Sequence, residues 1–232
     1  MFKYTPARIL RHILWRIEKR IPQYGKVAFV FNKIPNRGKV LDVGCGNNSP
    51  QSMKTYRPDI YYVGLDIGIY NQSANPKEYA DEFILTDPEN FASEIRKYEN
   101  TFDTIFCTHN LEHCNDYEDV LAAMIQALGK TGLLHLVFPC EDSVNFPSRK
   151  GTLNFYDDDT HKNVIPYKQV IDTLEQKGLK IVFAKRRYRP LIPFLVGLIC
   201  EPYRRFTGTL ESSMRATWAL YGFETLIIAK KE

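Results

Sequence analysis

Two sets of residues in this chain have types and spacing that could do chemistry, and the first is a series of acids. Asp42 stands two residues before Gly44 in a stretch that continues to Gly46, and two further acids, Asp66 and Asp87, each end a later apolar stretch. Glycines after an apolar run allow a tight turn in which a ligand lies against bare backbone. An acid about 20 residues after such a turn binds ribose hydroxyls in nucleotide-binding folds, and Asp66 lies 22 residues after Gly44 (66 − 44). The acids therefore predict a site for a ligand that contains a nucleoside.

The second set is built on histidines. His109 and His113 lie in Thr108-His-Asn-Leu-Glu-His-Cys114, and His161 ends Leu153-Asn-Phe-Tyr-Asp-Asp-Asp-Thr-His161. Imidazole titrates near neutral pH, so it is a common general base. Both segments follow apolar stretches that have the composition of strands, and the residues that follow parallel strands gather at one edge of a sheet. We therefore expect the two segments to meet at one site, with His161 as the first candidate for a base.

The elements that must position these residues alternate between strands and helices. Strands are predicted at 38–43, 60–65, 82–86, 102–107, 132–138, 179–185 and 223–229, and helices at 49–57, 88–98, 116–128 and 167–177. In the first helix we expect Ser49 as N-cap and Pro50 at the first helical position, and Gly178 should end the last one. Strand, glycine turn and helix form the opening unit of a doubly wound α/β sheet. We therefore predict an α/β fold in a single domain that spans residues 1–232.

Composition and charge fit one ordinary globular domain. The 232 residues are 44% hydrophobic and 25% charged, and a net charge of +4 is too small to indicate a nucleic-acid partner. The five cysteines form no C-x-x-C pair, which favours a reducing, cytoplasmic location. We expect Cys45, Cys107 and Cys140 to be buried on or beside strands. The chain shows no signal-peptide pattern and no apolar run of 18 residues, so no transmembrane helix is expected.

Two segments outside the predicted sheet carry basic residues beside apolar ones. Residues 6–21 have an apolar stripe at helical spacing opposite a basic face, so residues 1–35 are predicted to form an N-terminal helical extension. Residues 186–222 form a lid-like insertion that is too long for a hairpin loop, and its apolar run 191–200 has arginines on both sides. In one interpretation both segments pack on the core. In the other they contact the surface of a membrane, or the insertion covers an apolar acceptor.

The sequence Val-Leu-Asp-Val-Gly-Cys-Gly at residues 40–46 resembles the first motif of the class I S-adenosylmethionine-dependent methyltransferases. The resemblance implies a seven-stranded Rossmann-like sheet of order 3-2-1-4-5-7-6, with the seventh strand antiparallel and helices on both faces. It also implies S-adenosylmethionine as the cofactor. The residues implied to bind it are Asp42, Gly44 and Gly46 at its methionine end, Asp66 at the ribose with Ile67 beside it, Asp87 at the adenine amine, and Asn110 and Leu111 along its length. The chain has Asn48 where many members have a third glycine.

The two histidine segments are similar to acceptor-site segments of the same family. Residues 110–113 resemble an Asn-x-x-Glu-His segment of small-molecule and glycan methyltransferases, and residues 155–161 a Phe-x-Asp-x-Thr-His stretch of bacterial members linked to surface glycans. The roles that this implies are Glu112 and His113 at the acceptor, Phe155 and Tyr156 lining its pocket, and His161 as general base, with Asp157, Asp158 or Asp159 orienting the imidazole. We expect methyl transfer to a hydroxyl of a sugar, or of another small or lipid-linked acceptor. A quinone-like or other small aromatic acceptor is the alternative.

Other classes of protein fit the same residues less well. A nicotinamide dehydrogenase would have a third glycine in place of Ser49 and no acid before the turn, because Asp42 would repel a pyrophosphate. The pattern His-x-x-Glu-His at 109–113 is also a zinc-peptidase signature, but here it follows a strand directly instead of lying in a long helix. A non-catalytic cofactor-binding module at the membrane is disfavoured because the pair Asp42 and Asp66 is intact.

A metal ion is the remaining alternative for the histidine segment. His109, Glu112 and His113 would share one face of a helical turn and, with a distant histidine, could hold one divalent ion that activates the acceptor. Some members of the wider family use a Glu-x-x-Glu-His set in this way, but His109 replaces the first Glu here. We therefore expect no metal.

Overall fold

The computed structural model describes residues 20–21, 26–149, 151–207 and 214–232. The predicted helix at 6–21 lies outside these residues, apart from its last two. Within the predicted N-terminal extension, the described part holds one short helix, α1 (Lys26–Phe31). Phe29 and Val30 of α1 are buried in a cluster that also contains Val40 and Tyr62 of the sheet, so α1 covers one face of the sheet.

Seven strands form one sheet. They are β1 (Lys39–Val43), β2 (Tyr61–Asp66), β3 (Glu82–Leu85), β4 (Phe102–Thr108), β5 (Leu128–Pro139), β6 (Leu179–Lys185) and β7 (Glu224–Lys231). Their order is β3-β2-β1-β4-β5-β7-β6. The first five pair in parallel, whereas β7 runs antiparallel between β5 and β6. The predicted strand order and the antiparallel seventh strand are therefore confirmed.

Helices cover both faces of this sheet. Besides α1 they are α2 (Ser49–Tyr56), α3 (Phe91–Arg96), α4 (Tyr117–Ala127), α5 (Tyr167–Gln176), α6 (Leu191–Thr207) and α7 (Met214–Tyr221). The apolar residues of β1 are buried on both faces of the sheet. Leu41 and Val43 join the cluster that α3, α4 and α5 bury, while Val40 joins the cluster under α1 and α2. Burial on both faces explains why this parallel strand is mostly apolar, and Asp42 is its buried acid.

Several predicted boundaries were wrong. The helix expected at 88–98 is a 3₁₀ turn, Pro88–Asn90, followed by the short α3. The strand expected to begin at residue 132 starts at Leu128, and its pairing with β4 shifts register between Phe102 and Thr104. The apolar run 191–200 is only the first part of α6, which continues through Pro202. Periodicity reports which residues share a face, and it does not fix where a turn, a register shift or a helix end falls. Gly178 ends α5 as expected, with a left-handed φ of 81°.

Candidate active site

The turn between β1 and α2 is left-handed at three of its residues. Gly44 has φ 78°, and its N–H donates to the carbonyl of Leu65 at 2.8 Å. Asn47 and Asn48 have φ 54° and 57°, a conformation that asparagine adopts more readily than most residues. The chain therefore completes the turn without the third glycine that many methyltransferase motifs have.

Asp42 lies beneath this turn and is 4% exposed. Its Oδ2 accepts hydrogen bonds from the hydroxyl of Ser49 and from that of Tyr62, the latter at 2.7 Å. Burial raises the pKa of Asp42 to about 6 although both hydrogen bonds lower it. The prediction of Ser49 as N-cap was wrong: Asn48 is the N-cap, and Ser49 opens α2 while it donates to Asp42.

Asp66 ends β2 next to the same turn. Its carboxylate accepts from the backbone N–H of Ile67 at 2.8 Å, and also from those of Gly46 and Gly68. Burial raises the pKa of Asp66 despite these hydrogen bonds. A Cβ added to Gly46 would lie 3.8 Å from Oδ2 of Asp66, so the glycine turn and the second acid border one space. The neighbouring side chain of Ile67 is exposed.

Asp87 completes the series of acids. It is exposed and begins the 3₁₀ turn after β3. The N–H of the preceding residue, Thr86, donates to the carbonyl of Asp66 at 3.1 Å, so the ends of β2 and β3 are joined. One edge of the sheet therefore carries acids, bare glycine backbone and the exposed Ile67. These features fit a ligand that has a nucleoside and cationic groups.

Asn110 connects this edge to the histidines. A Cβ on Gly44 would lie only 2.4 Å from the Asn110 side-chain nitrogen, so the two residues are in close contact and position 44 has room only for glycine. The N–H of His113 donates to the Asn110 carbonyl at 3.0 Å. Leu111, by contrast, is buried in the core cluster.

His113 and His161 lie together, with ring centroids 4.8 Å apart. Nδ1 of His161 is 2.7 Å from the carbonyl of Phe155, which can only accept, so this nitrogen carries the hydrogen. Nδ1 of His113 is 2.9 Å from the hydroxyl of Thr160, whose own hydrogen goes to Oδ1 of Asp158 at 2.5 Å. Both rings are therefore oriented by their Nδ1 atoms, and in each neutral ring Nε2 holds the free electron pair.

Glu112 stands next to this pair and is completely buried. Its Oε1 is 3.1 Å from Nδ1 of His109, and Nε2 of His109 is 3.0 Å from Oε1 of Glu224 on β7. Burial lowers the pKa of His109, but the hydrogen bonds to the two glutamates outweigh this effect and raise it to about 9. His109 has φ 51° and precedes a 3₁₀ turn, Leu111–His113. The expectation that His109, Glu112 and His113 share one helical face was therefore wrong.

The loop before His161 contains the other predicted acceptor residues. Phe155 is buried with its ring against His161, at a centroid distance of 4.7 Å, whereas Tyr156 is 71% exposed. Oδ2 of Asp157 accepts three backbone N–H groups of the loop at 2.8–3.0 Å, so this acid shapes the loop. Oδ2 of Asp158 lies 3.8 Å from Nε2 of His161.

The insertion before β7 borders the same region. Trp218 of α7 packs on His109, with centroids 5.0 Å apart, and its Nε1–H donates to the carbonyl of Thr152 at 2.7 Å. Sequence reasoning missed Trp218, and it also missed Tyr62, Thr160 and Glu224 as partners of the candidate residues. Each contacts its partner across a long stretch of sequence, so no local pattern gives the pairing, although Thr160 itself lies in the segment 155–161 named from the sequence.

A sequence profile of the family described as methyltransferase domain matches residues 15–183 of this chain. The chain belongs to this family. Its fold and motif place it among the class I S-adenosylmethionine-dependent methyltransferases, whose cofactor is S-adenosylmethionine.

This methyltransferase domain resembles a curated protein and solved structures at low sequence identity. An uncharacterised protein of Methanocaldococcus jannaschii is 24% identical over 71% of this chain and 47% of that protein, so the chain spans about half the length of this curated relative. A methyltransferase of Archaeoglobus fulgidus superposes with a TM-score of 0.53 at 19% identity, covering 95% and 94% of the two chains. The phosphoethanolamine N-methyltransferase 2 of Haemonchus contortus gives 0.56 at 15% identity, covering 95% and 52%. At these identities the likeness shows the fold.

Proposed function

We propose that this chain transfers a methyl group from S-adenosylmethionine to a hydroxyl of a sugar, or of another small or lipid-linked acceptor, as in the synthesis of cell-surface glycans. The observation that carries the proposal is the pair of oriented imidazoles, His113 and His161. The pair lies beside Asn110, which contacts the glycine turn. The fold alone does not choose the acceptor atom, and one structural neighbour is an N-methyltransferase. A sulfonium methyl reacts with a neutral amine without a base, whereas a hydroxyl needs one. The histidine pair therefore favours O-methylation.

The residues along the strand ends are proposed to hold the cofactor. Asp66 would bind the ribose hydroxyls, with Ile67 against the nucleoside and Asp87 at the adenine amine. Gly44 and Gly46 would lie along the methionine part, which Asp42 attracts through its charge. Asn110 would contact the cofactor from the other side of the turn. Leu111, which is buried in the core cluster, supports the backbone next to Asn110.

When bound, S-adenosylmethionine supplies an electrophilic methyl group on a positively charged sulfur, which keeps the electron pair of the broken S–C bond. The chain's own part is to align the acceptor and to remove its proton. Nε2 of His161 accepts the hydroxyl hydrogen as the acceptor oxygen forms its bond to the methyl carbon. The carbonyl of Phe155 holds the His161 ring during this transfer, while His113, Glu112 and the exposed Tyr156 contact the acceptor.

The test is turnover of the His161→Ala variant with sugar and aromatic acceptors offered side by side. Loss of a general base lowers turnover by a factor of roughly 10²–10⁴, and cofactor affinity measured by calorimetry should stay nearly unchanged. Glu175→Gln on the exposed side of α5 is the control. Full activity of His161→Ala at neutral pH would remove His161 from the mechanism. If only quinone-like acceptors are turned over, the acceptor is a quinone-like aromatic and not a sugar.

We further propose that α6 brings the active site to a membrane surface that contains anionic lipid. A stripe of large apolar side chains at helical spacing faces solvent along α6, and it consists of Ile192, Leu195, Val196, Ile199, Tyr203 and Phe206. The inward face of α6 holds the buried Gly197 in its first half and makes polar contacts in its second half. Glu201 pairs with Arg149 at 2.5 Å, and the buried Arg204 donates to Thr217 at 2.7 Å. A helix packed on a core would instead bury its large apolar side chains.

The charges around this stripe favour a lipid occupant. Arg189 is exposed just before α6, Arg205 lies in its last turn, and Arg215 is exposed at the start of α7. Basic residues beside an apolar helix face suit the interface of an anionic bilayer. Within the described ranges, no helix combines the length and apolar character needed to cross a bilayer, so the contact would be peripheral.

A further inference from the structure

Three side chains at the end of β4 and in the loop before α5 converge on one point. Glu112, His113 and His161 each offer a ligating atom, and these three atoms all lie within 4.8 Å of one another. Two of the residues are consecutive in the 3₁₀ turn after β4, while the third comes from 48 positions further along. The backbone holds the two segments together, because the N–H groups of Lys162 and Asn163 donate to the carbonyl of Glu112 at 2.8 and 3.1 Å.

The imidazoles are oriented as metal ligands commonly are. A metal-bound histidine usually donates its second ring N–H to a carbonyl or to a carboxylate network, which fixes the ring. Nδ1 of His161 does so to the Phe155 carbonyl, and Nδ1 of His113 does so to Thr160, which Asp158 holds in turn. Nε2 of each ring is therefore the atom left to bind an ion.

The carboxylate of Glu112 supplies an independent observation. This side chain is 0% exposed, and its Oε2 is buried with no hydrogen-bond partner, while Oε1 lies next to His109. A buried carboxylate oxygen without a partner is costly and is rare in folded proteins unless a water or an ion occupies the site. A cation between Glu112 and the two imidazoles would satisfy it.

We infer that Glu112, His113 and His161 form a binding site for a divalent transition-metal ion. Two imidazoles and one carboxylate suit Zn²⁺, Mn²⁺, Fe²⁺ or Co²⁺ better than Ca²⁺ or Mg²⁺, which prefer oxygen ligands. Metal–ligand bonds are about 2.1 Å long, so the three side chains close by roughly an ångström around the ion. Three protein ligands leave coordination positions open, as catalytic metal sites do.

This inference rests on the proposed hydroxyl chemistry and changes one step of it. An ion held by Glu112, His113 and His161 would draw electron density from the O–H bond of the acceptor and lower the pKa of its hydroxyl. Water would take the proton while the acceptor oxygen forms its bond to the methyl carbon, and the sulfur would keep the electron pair of the broken S–C bond. The bound ion thus acidifies the acceptor in place of a free His161 imidazole.

The inferred site differs from both expectations about metals. The sequence predicted none, and its alternative set included His109. His109 instead lies between Glu112 and Glu224 and does not belong to the group. The distant histidine that the alternative required is His161.

The experiment is a Co²⁺ titration of the full, tag-free chain after removal of metal with a chelator. Visible absorption of protein-bound Co²⁺ reports the number of ions and their ligand geometry, and it needs no acceptor or turnover. We expect one ion per chain. Each of Glu112→Gln, His113→Ala and His161→Ala should weaken binding at least tenfold, whereas Glu175→Gln should not change it. Because Glu112 is buried and its variant could unfold, His113→Ala, at a residue of intermediate exposure, provides the deciding variant, with folding checked by circular dichroism.

The outcomes separate this inference from the proposed function. Absence of a Co²⁺ spectrum, or binding that the three variants leave unchanged, overturns the metal site. If turnover of the chelated enzyme still depends on His161, the free-base mechanism then stands. Tight Co²⁺ binding at these residues without methylation of any hydroxyl acceptor keeps the site and overturns the proposed function. Loss of turnover on chelation, with recovery on adding Mn²⁺ or Co²⁺, supports both.

Discussion

At the scale of single residues, the candidate cofactor site is defined by two carboxylates whose pKa values are raised by burial. Asp42 and Asp66 are both nearly inaccessible, and burial raises the pKa of each. Hydrogen bonds from Ser49 and Tyr62 to one, and from backbone N–H groups to the other, fix their orientation. Oriented carboxylates lose little entropy when they bind a ligand, so their contribution to affinity should be measurable one residue at a time.

Asp66→Ala should weaken binding of S-adenosylhomocysteine. The loss of hydrogen bonds between a charged carboxylate and ribose hydroxyls costs on the order of 1.5–3 kcal/mol, which is a roughly 10- to 150-fold increase in Kd. Isothermal titration calorimetry measures it, with Glu175→Ala as the exposed control. An unchanged Kd in Asp66→Ala, or tight binding of NAD in its place, would contradict the assignment.

Asp42 should make the stability of the cofactor-free protein depend on pH. Its pKa is about 6 in the fold against an ordinary 3.8, so between about pH 4 and 6 the folded chain keeps a proton that the unfolded chain has released. The free energy of unfolding therefore falls as pH rises through this window, by up to about 3 kcal/mol at 1.36 kcal/mol per pKa unit.

Urea unfolding of the wild type and of Asp42→Asn at several pH values isolates this contribution. Asparagine does not titrate, so any packing defect that it introduces is a constant offset. The stability of the wild type relative to the variant should decrease from about pH 4 to about pH 7. A difference that stays constant across that range would show that Asp42 keeps an ordinary pKa.

At the scale of elements, the α6–α7 pair depends on one close contact. A Cβ at Gly197 of α6 would lie 2.4 Å from the backbone carbonyl of Ala216 on α7. Backbone cannot move aside as a side-chain tip can, so glycine allows the two helices to approach. Through Trp218, the same contact positions the aromatic ring that packs on His109.

Gly197→Ala should therefore destabilise this helix pair. Overpacking at a tight contact typically costs about 1–3 kcal/mol, and the better helix propensity of alanine offsets up to about 1 kcal/mol of it. Thermal unfolding should show a lower Tm, whereas Ile199→Ala, at a side chain that is 80% exposed, should change stability by less than about 0.5 kcal/mol. An equal or higher Tm for Gly197→Ala would mean that α6 and α7 can separate at no cost.

At the scale of the whole molecule, the sheet brings the acids and histidines to one edge, and the insertion lies beside them. The contact of Trp218 with His109 places α7 against the histidine segment, and α6 packs against α7. The exposed apolar stripe of α6 therefore lies on the part of the molecule that borders the active site. A membrane that received this stripe would present lipid-linked acceptors close to it.

Flotation with lipid vesicles tests this surface. We expect the full chain to float with anionic but not with neutral vesicles, and added salt should weaken the binding because it screens the arginines. Ile199→Glu and Phe206→Glu, at side chains that are 80% and 93% exposed, should abolish flotation and leave turnover on a water-soluble acceptor unchanged. If the wild type stays unbound at low salt and forms dimers that either variant disrupts, a second copy of the chain covers the stripe instead.

Much of the fold was predictable because its signals are local. The glycine turn, the acids that end β1 and β2, and the apolar strands are patterns within a few neighbouring residues, and the family resemblance supplied the strand order. These patterns could name Asp42, Asp66, His113 and His161 as candidates. They could not give the partners of those residues, since Tyr62, Thr160 and Glu224 approach from other segments.

Tertiary structure decided what each candidate can do. Sequence spacing grouped His109 with His113, whereas packing of β7 beside β5 turns His109 toward Glu224 and leaves Glu112 and His113 to meet His161. Likewise, the apolar run in α6 predicted equally well a helix packed on the core or one that contacts an apolar acceptor or a membrane, and only the tertiary structure showed which of its side chains meet solvent. Periodicity records that a residue is apolar or ionisable; the meeting of distant segments fixes its neighbours, and the neighbours determine its charge, its orientation and its chemistry.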